Sequence, residues 1–317
     1  MQAASDAWGF AVSDQAADGR FRHAAWVYRA HDEYLAGIRE FVRAAVSALE
    51  PVLVVVPAWQ LPNGWLPSWP DVTVADMQEL GGNPARLIPA IRAFADKYPG
   101  RRIRYLGEPG WAARSVAELR EVVRYEALLN LALADAEISA LCPYNAAELP
   151  AAVIADACCA HPLLRGDGAE RANVDYRGPV VSPDSLTRPL LAPTTAQVLS
   201  YDSDLRPVRG LVAAVAGQAG LSPGRCTDMV IAASEVAANT LRHTNGPGVV
   251  RLWATDAEVL CQFEDTGRIT DPMAGSWRPD GNFAGGHGLW LVNQVCDLAE
   301  IWSSELGTTI RLHMYRR

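Results

Sequence analysis

Ser234-Glu235-Val236-Ala237-Ala238-Asn239, then Asp265-Thr266-Gly267, Gly285-Gly286-His287-Gly288-Leu289-Trp290 and Gly307-Thr308-Thr309 stand in that order in the second half of the chain. On a helix, the i,i+4 spacing sets the Glu235 carboxylate and the Asn239 carboxamide on one face, a turn apart. That pair suits a general base beside an oxygen-ligated Mg²⁺. Asp265 ends an apolar run, where a carboxylate can accept from an exocyclic amine. Gly267 lets a ring approach the backbone closely. The glycine cluster opens a helical pattern, and free N–H groups at a helix start cradle phosphate. Each piece alone also has a plain structural reading: a solvated helix face, an ordinary turn, a loose loop.

The pattern around these pieces is mixed. Residues 205–219 and 222–243 read as two helices split by Gly220 and Pro223. Residues 249–254 and 259–265 read as a strand hairpin, 288–296 as a helix, and 299–303 and 308–315 as closing strands. Helices lead and strands cluster later, which predicts an α+β sandwich with helices on one sheet face. The segment 268–286 is rich in Gly, Pro and Asp and is expected to be mobile. Its freedom would come from Gly275, Gly281, Gly285 and Gly286.

The first half alternates differently. Residues 31–49 carry apolar side chains at helical spacing, and Pro51 ends the run. Residues 52–56 are continuously apolar and β-branched, as in a parallel strand buried on both faces. Strands are predicted at 72–75, 102–106 and 138–142. Helices are predicted at 84–98 (with Pro89 able to distort it), 115–135 (capped by Ser115) and 149–160. This is an α/β layered domain. Residues 165–193, broken by Gly and Pro, read as an extended linker. The organisation is therefore a flexible N-terminus at 1–19, a domain at 20–165, a linker at 166–195 and a second domain at 196–317.

The 317 residues suit two domains, and a 50% hydrophobic composition supports a sizeable core. A net charge of −8 argues against direct nucleic-acid binding, which needs a basic face. No signal peptide and no run of ~20 apolar residues is visible, so no membrane association and a cytoplasmic location are expected. The six cysteines form no CxxC pair, which suggests reduced, mostly buried thiols. Cys158-Cys159-Ala160-His161 lacks a second ligand pair, so no metal is expected there.

The ordered set Glu-x₃-Asn, Asp-x-Gly, Gly-Gly-x-Gly and Gly-Thr-Thr resembles the N, G1, G2 and G3 boxes of the GHKL ATPase family. The short lid and Ser234–His243 are most similar to its anti-sigma serine/threonine kinase branch. The resemblance covers roughly residues 196–317 and implies a Bergerat fold, a mixed sheet with ATP and Mg²⁺ between helices and lid. It implies Glu235 as the catalytic base, Asn239 as the Mg²⁺ holder and Asp265 as the reader of the adenine amine. Gly267, Gly285, Gly286, His287 and Gly288 would bound the nucleotide, with Thr309 near the adenine end. Ile269 stands where the family often has a second glycine. A histidine kinase is not expected, because no histidine lies between His161 and His243 to serve as phosphoacceptor.

The first domain lacks G-x-x-x-x-G-K-[ST]. Its Phe21-Arg22-His23-Ala24-Ala25-Trp26-Val27-Tyr28 and Cys142-Pro143-Tyr144-Asn145 resemble the MEDS sensory domain, over about residues 20–162. That resemblance implies a degenerate RecA-like parallel sheet and an unknown small-molecule signal, with His23, Tyr28 and Trp59 as ligand candidates. His23 could equally be a packed, hydrogen-bonded core histidine. Trp59, Trp65 and Trp69 either line an apolar pocket or cap the sheet.

Together the resemblances imply a sensor controlling an anti-sigma module. It would sequester an alternative sigma factor and phosphorylate a Ser or Thr of a STAS-domain anti-anti-sigma partner. A homodimer is compatible with this. The competing reading is a non-catalytic module whose ATP shapes a partner-binding surface.

Overall fold

The computed structural model describes residues 20–62, 64–66, 69–166, 168–178, 189–244, 246–278 and 287–316. The expected flexible N-terminus at 1–19 lies outside the described residues. Contacts divide the chain into two compact units. The first runs up to Gly81 and resumes at Ala90. The second takes Gly82–Pro89 together with the C-terminal part of the chain.

In chain order the first unit's elements begin with β1 (Phe21–Tyr28), α1 (His31–Ser47), β2 (Val52–Val56), β3 (Val72–Asp76) and α2 (Met77–Leu80). They continue with α3 (Leu87–Ala95), β4 (Ile103–Gly107), α4 (Val116–Ala132), β5 (Ile138–Asn145), α5 (Ala151–Ala160), β6 (Leu163–Gly166) and β7 (Ala169–Ala172). The seven-stranded sheet has the order β3-β2-β4-β5-β1-β6-β7. Its pairings are parallel except the β6–β7 hairpin. Helices cover both faces. Ala24, Trp26 and Tyr28 of β1 pack with Tyr34, Ile38 and Phe41 of α1. Ala25 packs with Leu119 of α4 and Ala157 of α5. Two covered faces explain why all five residues of β2 are buried.

Several boundaries follow from local chemistry. Ser115 caps α4 by accepting from Glu118 N at 3.2 Å, while the Glu118 carboxylate accepts from Ser115 N at 2.7 Å. The helix expected at 84–98 is split. Pro84–Arg86 forms a 3₁₀ turn and α3 starts at Leu87. Pro89 then falls in the first helical turn, where its missing N–H costs nothing. One strand is added to those expected, and one expectation is corrected. The sheet's inner strand β1 was not read as a strand, because Arg22 and His23 break its apolar pattern. Both find polar partners, Glu170 at 2.6 Å and Glu126 at 3.0 Å. The β6–β7 hairpin begins before and continues into the stretch expected to be linker, turning at Gly168 with φ +78°.

The second unit has β8 (Gln197–Tyr201), α6 (Arg206–Gln218), α7 (Pro223–His243), β9 (Gly248–Ala254), β10 (Glu258–Asp265), α8 (His287–Val295), β11 (Leu298–Ser304) and β12 (Gly307–Tyr315). A strand, β8, precedes the helices expected to lead. The sheet order is β11-β12-β10-β9-β8, and every pairing is antiparallel among the described residues. The expected mixed sheet is thus corrected. The crossover through α8 sets β11 in the same direction as β10, but β12 lies between them and opposes both. Helices α6 and α7 cover one face, where Val208, Val212, Ala233 and Val236 meet Leu252, Phe263 and Leu312. No helix among the described residues is long and apolar enough to cross a membrane.

Candidate functional site

Helix α7 presents Val236, Asn239, Thr240 and His243 to a cavity of about 710 Å³. Their i, i+3, i+4, i+7 spacing is one helical stripe. Across the cavity stand Asp265 and Gly267 from the end of β10, Thr308 and Ile310 from β12, and Gly288 and Leu289 from α8. The segment 268–278 adds Ile269, Met273 and Trp277 as apolar lining.

Asp265 is fixed from two sides. Its Oδ2 accepts from the Thr240 hydroxyl at 2.7 Å, and its Oδ1 accepts from Gly267 N at 2.8 Å. Thr240 is itself held by the Tyr201 hydroxyl at 3.1 Å. The Thr308 hydroxyl donates to Gly267 O at 2.9 Å and also meets Ser303 Oγ at 2.8 Å. These bonds clamp the Asp-Thr-Gly turn before any ligand arrives. A side chain at Gly267 would put Cβ 2.7 Å from Thr244 Cγ2, so the turn accepts only glycine without a shift.

Glu235 and Asn239 come together as the helical spacing required, both half-buried. A Cβ at Gly288 would sit 3.0 Å from Glu235 Oε2 and 3.1 Å from Asn239 Nδ2. Bare backbone at the start of α8 therefore faces this pair. Arg242 donates to Asn239 Oδ1 at 2.9 Å, a contact the sequence did not suggest. Gly285 and Gly286 lie outside the described residues. So does the side chain of His287, although its backbone opens α8. Part of the lid expected at 268–286 is likewise outside them. The Thr309 expectation moves by one residue. Strand alternation turns Thr308 and Ile310 to the cavity, and sends Thr309 to the opposite sheet face with Arg311 and His313. Thr240 was missed, although its place four residues after Val236 carried the signal.

In the first unit the three ligand candidates do not converge. His23 is fully buried and its ring reaches Glu126 and Asn130, each at 3.0 Å. Tyr28, an odd number of residues along β1, lies on the other sheet face. Its hydroxyl donates to Glu108 at 2.7 Å, and the Tyr34 hydroxyl donates to the other oxygen at 2.6 Å. Burial pushes the Glu108 carboxyl up to about 7, against the two phenol hydrogen bonds. Trp59 is exposed and meets only the edge of Trp111 among the ring contacts described, 5.8 Å between centroids. Trp65 and Trp69 pack on the α1 side of the core, so they cap the sheet.

Two family models match this chain. Residues 22–162 match MEDS, the methanogen/methylotroph, DcmR sensory domain, and residues 200–314 match the histidine kinase-like ATPase domain. The chain joins a MEDS domain to a histidine kinase-like ATPase domain. No curated protein matches. A crystal structure of the RsbU and RsbW domains of a Mycobacterium tuberculosis protein is similar at 22% identity and TM-score 0.30. That match covers 40% of this chain and 34% of the other, a likeness too small to carry an argument. The ATPase domain's family implies ATP. The residues fit it. The cavity has the volume of a ligand site, the fixed Asp265 carboxylate can accept from an amine, and Gly288, at the start of α8, lines the same cavity.

Proposed function

We propose that the ATPase domain is an ATP-dependent anti-sigma module under control of the MEDS domain. It sequesters an alternative sigma factor and phosphorylates a Ser or Thr of a STAS-domain partner. The observation that supports this most is the close approach of Glu235 and Asn239 to Gly288, beside a cavity lined by Asn239, Gly288 and the clamped Asp265. In this reading bound ATP with Mg²⁺ supplies the phosphoryl group. Glu235 would accept the proton of the incoming hydroxyl, and Asn239 would hold the metal. Asp265 orients the base, and Ile269, Met273 and Trp277 exclude water from it. The MEDS sheet is read as RecA-like on its parallel strands and two-sided helices, and it receives a small-molecule signal. The protein works in the cytoplasm without direct contact to nucleic acid.

A second reading has its own observation. Arg242 occupies Asn239 Oδ1, the atom a Mg²⁺ ion would take. If that pair persists, ATP shapes a surface for the partner and no phosphate moves.

The full-length protein and its Glu235→Ala and Asp265→Asn variants separate these outcomes. Calorimetry with ATP·Mg²⁺ should show binding to wild type and Glu235→Ala. Asp265→Asn should bind about tenfold or more weakly, since it loses a charged acceptor. Incubation with labelled ATP and lysate of the native host should label a STAS protein with wild type and not with Glu235→Ala. ATP-dependent capture with no label supports the second reading. No heat of binding from the folded protein overturns both.

A further inference from the structure

The first unit contains a buried cluster of ligating side chains that the nucleotide site does not use. His23 (β1), Glu126 (α4), Cys142 (β5) and His161, which ends α5, are each 0% exposed. One ligating atom from each lies within 4.8 Å of all the others. His23 Nε2 is 3.0 Å from Glu126 Oε2 and 3.4 Å from Cys142 Sγ. Cys142 Sγ is 3.4 Å, and His161 Nε2 3.5 Å, from the same carboxylate oxygen.

The outer hydrogen bonds decide which atoms face inward. Asn130 Nδ2 donates to Glu126 O at 3.1 Å and Ala160 O at 2.8 Å. Its Oδ1 is therefore the acceptor for His23 Nδ1 at 3.0 Å. His161 Nδ1 donates to Ala157 O at 2.7 Å. In both rings Nδ1 is thus turned outward to an oxygen and Nε2 is the atom aimed at the carboxylate. His161 Nε2 makes no hydrogen bond although it is fully buried. Three acceptors, His23 Nε2, His161 Nε2 and Glu126 Oε2, crowd around one point with the Cys142 S–H as their one donor, and a buried set of this kind calls for a cation. The Tyr144 hydroxyl holds the remaining carboxylate oxygen at 2.9 Å. Such outer bonds to the second ring nitrogen and to the carboxylate are what orients metal ligands.

The geometry points to a tetrahedral zinc-type divalent cation held by His23, Glu126, Cys142 and His161. Bonds of ~2.0–2.3 Å from zinc to N, O and S place tetrahedral ligand atoms roughly 3.3–3.6 Å apart. The observed contacts of 3.0–3.5 Å are close to those edges. Charge balances as well. A thiolate and a carboxylate neutralise a divalent ion, and the imidazoles add none. Binding releases the Cys142 thiol proton to solvent as the sulfur–metal bond forms. Four protein ligands close the site, so the ion ties β1, α4, β5 and the end of α5 together and takes no substrate. Cys158 and Cys159 play no part.

The test uses the full chain, stripped with a chelator and titrated with Co²⁺, then with Zn²⁺ in competition with a chromophoric chelator. Expected are one equivalent bound, visible bands of tetrahedral Co²⁺ and a near-ultraviolet thiolate-to-cobalt band. Cys142→Ser should lose that band, and Cys142→Ser and His161→Gln should each bind Zn²⁺ about a hundredfold more weakly. Cys158→Ser should match wild type. Circular dichroism reports the fold of each variant. A folded wild type with no tetrahedral Co²⁺ bands and no micromolar Zn²⁺ binding overturns the proposal, whatever the variants do. So does unchanged binding in folded Cys142→Ser and His161→Gln, or loss of binding in Cys158→Ser.

Discussion

At the residue scale, one histidine on the second unit's sheet face away from the helices is placed to couple stability to pH. His313 is 4% exposed and sits between two carboxylates. Its Nδ1 is 2.7 Å from Glu258 and its Nε2 3.0 Å from Glu300. Burial alone would lower its pKa, but the hydrogen bonds to Glu258 and Glu300 outweigh it and raise the value from 6.5 to about 9. A raised histidine favours the folded state while it is charged. The contribution is complete below pH 6.5 and is lost as pH rises through about 9. Its size is on the order of 3 kcal/mol. Denaturant unfolding of this unit should therefore give lower stability at about pH 10 than at about pH 6, and His313→Gln should flatten that difference. Equal slopes in variant and wild type would show that the triad carries no linkage. None of this was visible in the sequence, because Glu258, Glu300 and His313 meet only through the pairing of β10, β12 and β11.

At the element scale, the start of the lid is pinned to α8 by a glycine. Gly275 has φ +82°, and a Cβ there would come 2.9 Å from Leu289 Cβ and 3.2 Å from the Leu289 carbonyl carbon. Asn293 Nδ2 donates to Gly275 O at 3.1 Å. Gly275→Ala adds the left-handed strain and the clash, together about 2–3 kcal/mol. It should lift residues 271–278 from α8, speed hydrogen exchange at Leu289–Asn293 and weaken ATP binding. Unchanged exchange would show that the turn adapts in place. The elements of this unit were largely legible, since α6, α7, α8 and β9 to β12 each keep one clear period. The strand β8 was not legible, because only Tyr201 of its five residues is buried and no apolar alternation marks it. In the first unit, β1 hid behind Arg22 and His23. Once it is known to be a strand, the spacing of His23 and Tyr28 puts them on opposite faces of the sheet. The cavity beside Asp265 draws Asn239, Asp265, Gly267 and Gly288 from motifs that are each local in sequence, so its lining could be read before the fold was known. The buried ligand cluster was not, because its members are spread from residue 23 to residue 161 and only the parallel order β5-β1-β6 gathers them.

At the scale of the whole molecule, the two-domain reading meets one complication. The ATPase unit is not continuous in sequence, since it includes Gly82–Pro89. Arg86 Nε donates to Asn293 O at 2.8 Å, and its NH2 donates to Gln294 O at 2.9 Å and Cys296 O at 2.8 Å. Asn83 Nδ2 adds a bond to Asn293 O at 3.2 Å. The last carbonyls of a helix have no partner within it, and a cation there also meets the negative end of the helix dipole. Arg86 therefore caps α8, whose other end carries Gly288 at the cavity. A fragment of residues 196–317, the natural choice from sequence, would lack this cap. In the full chain Arg86→Ala should destabilise the ATPase unit by about 1.5–3 kcal/mol, the worth of hydrogen bonds from a charged donor. It should speed exchange along α8 and weaken ATP by less than Asp265→Asn does, because it touches the helix rather than the base. The isolated fragment should melt no higher than Arg86→Ala and bind ATP no more tightly. Suppose instead that the fragment matches the full chain in both melting and affinity. Then Gly82–Pro89 is a bystander, and the ATPase unit works as the self-contained module that its sequence boundaries describe.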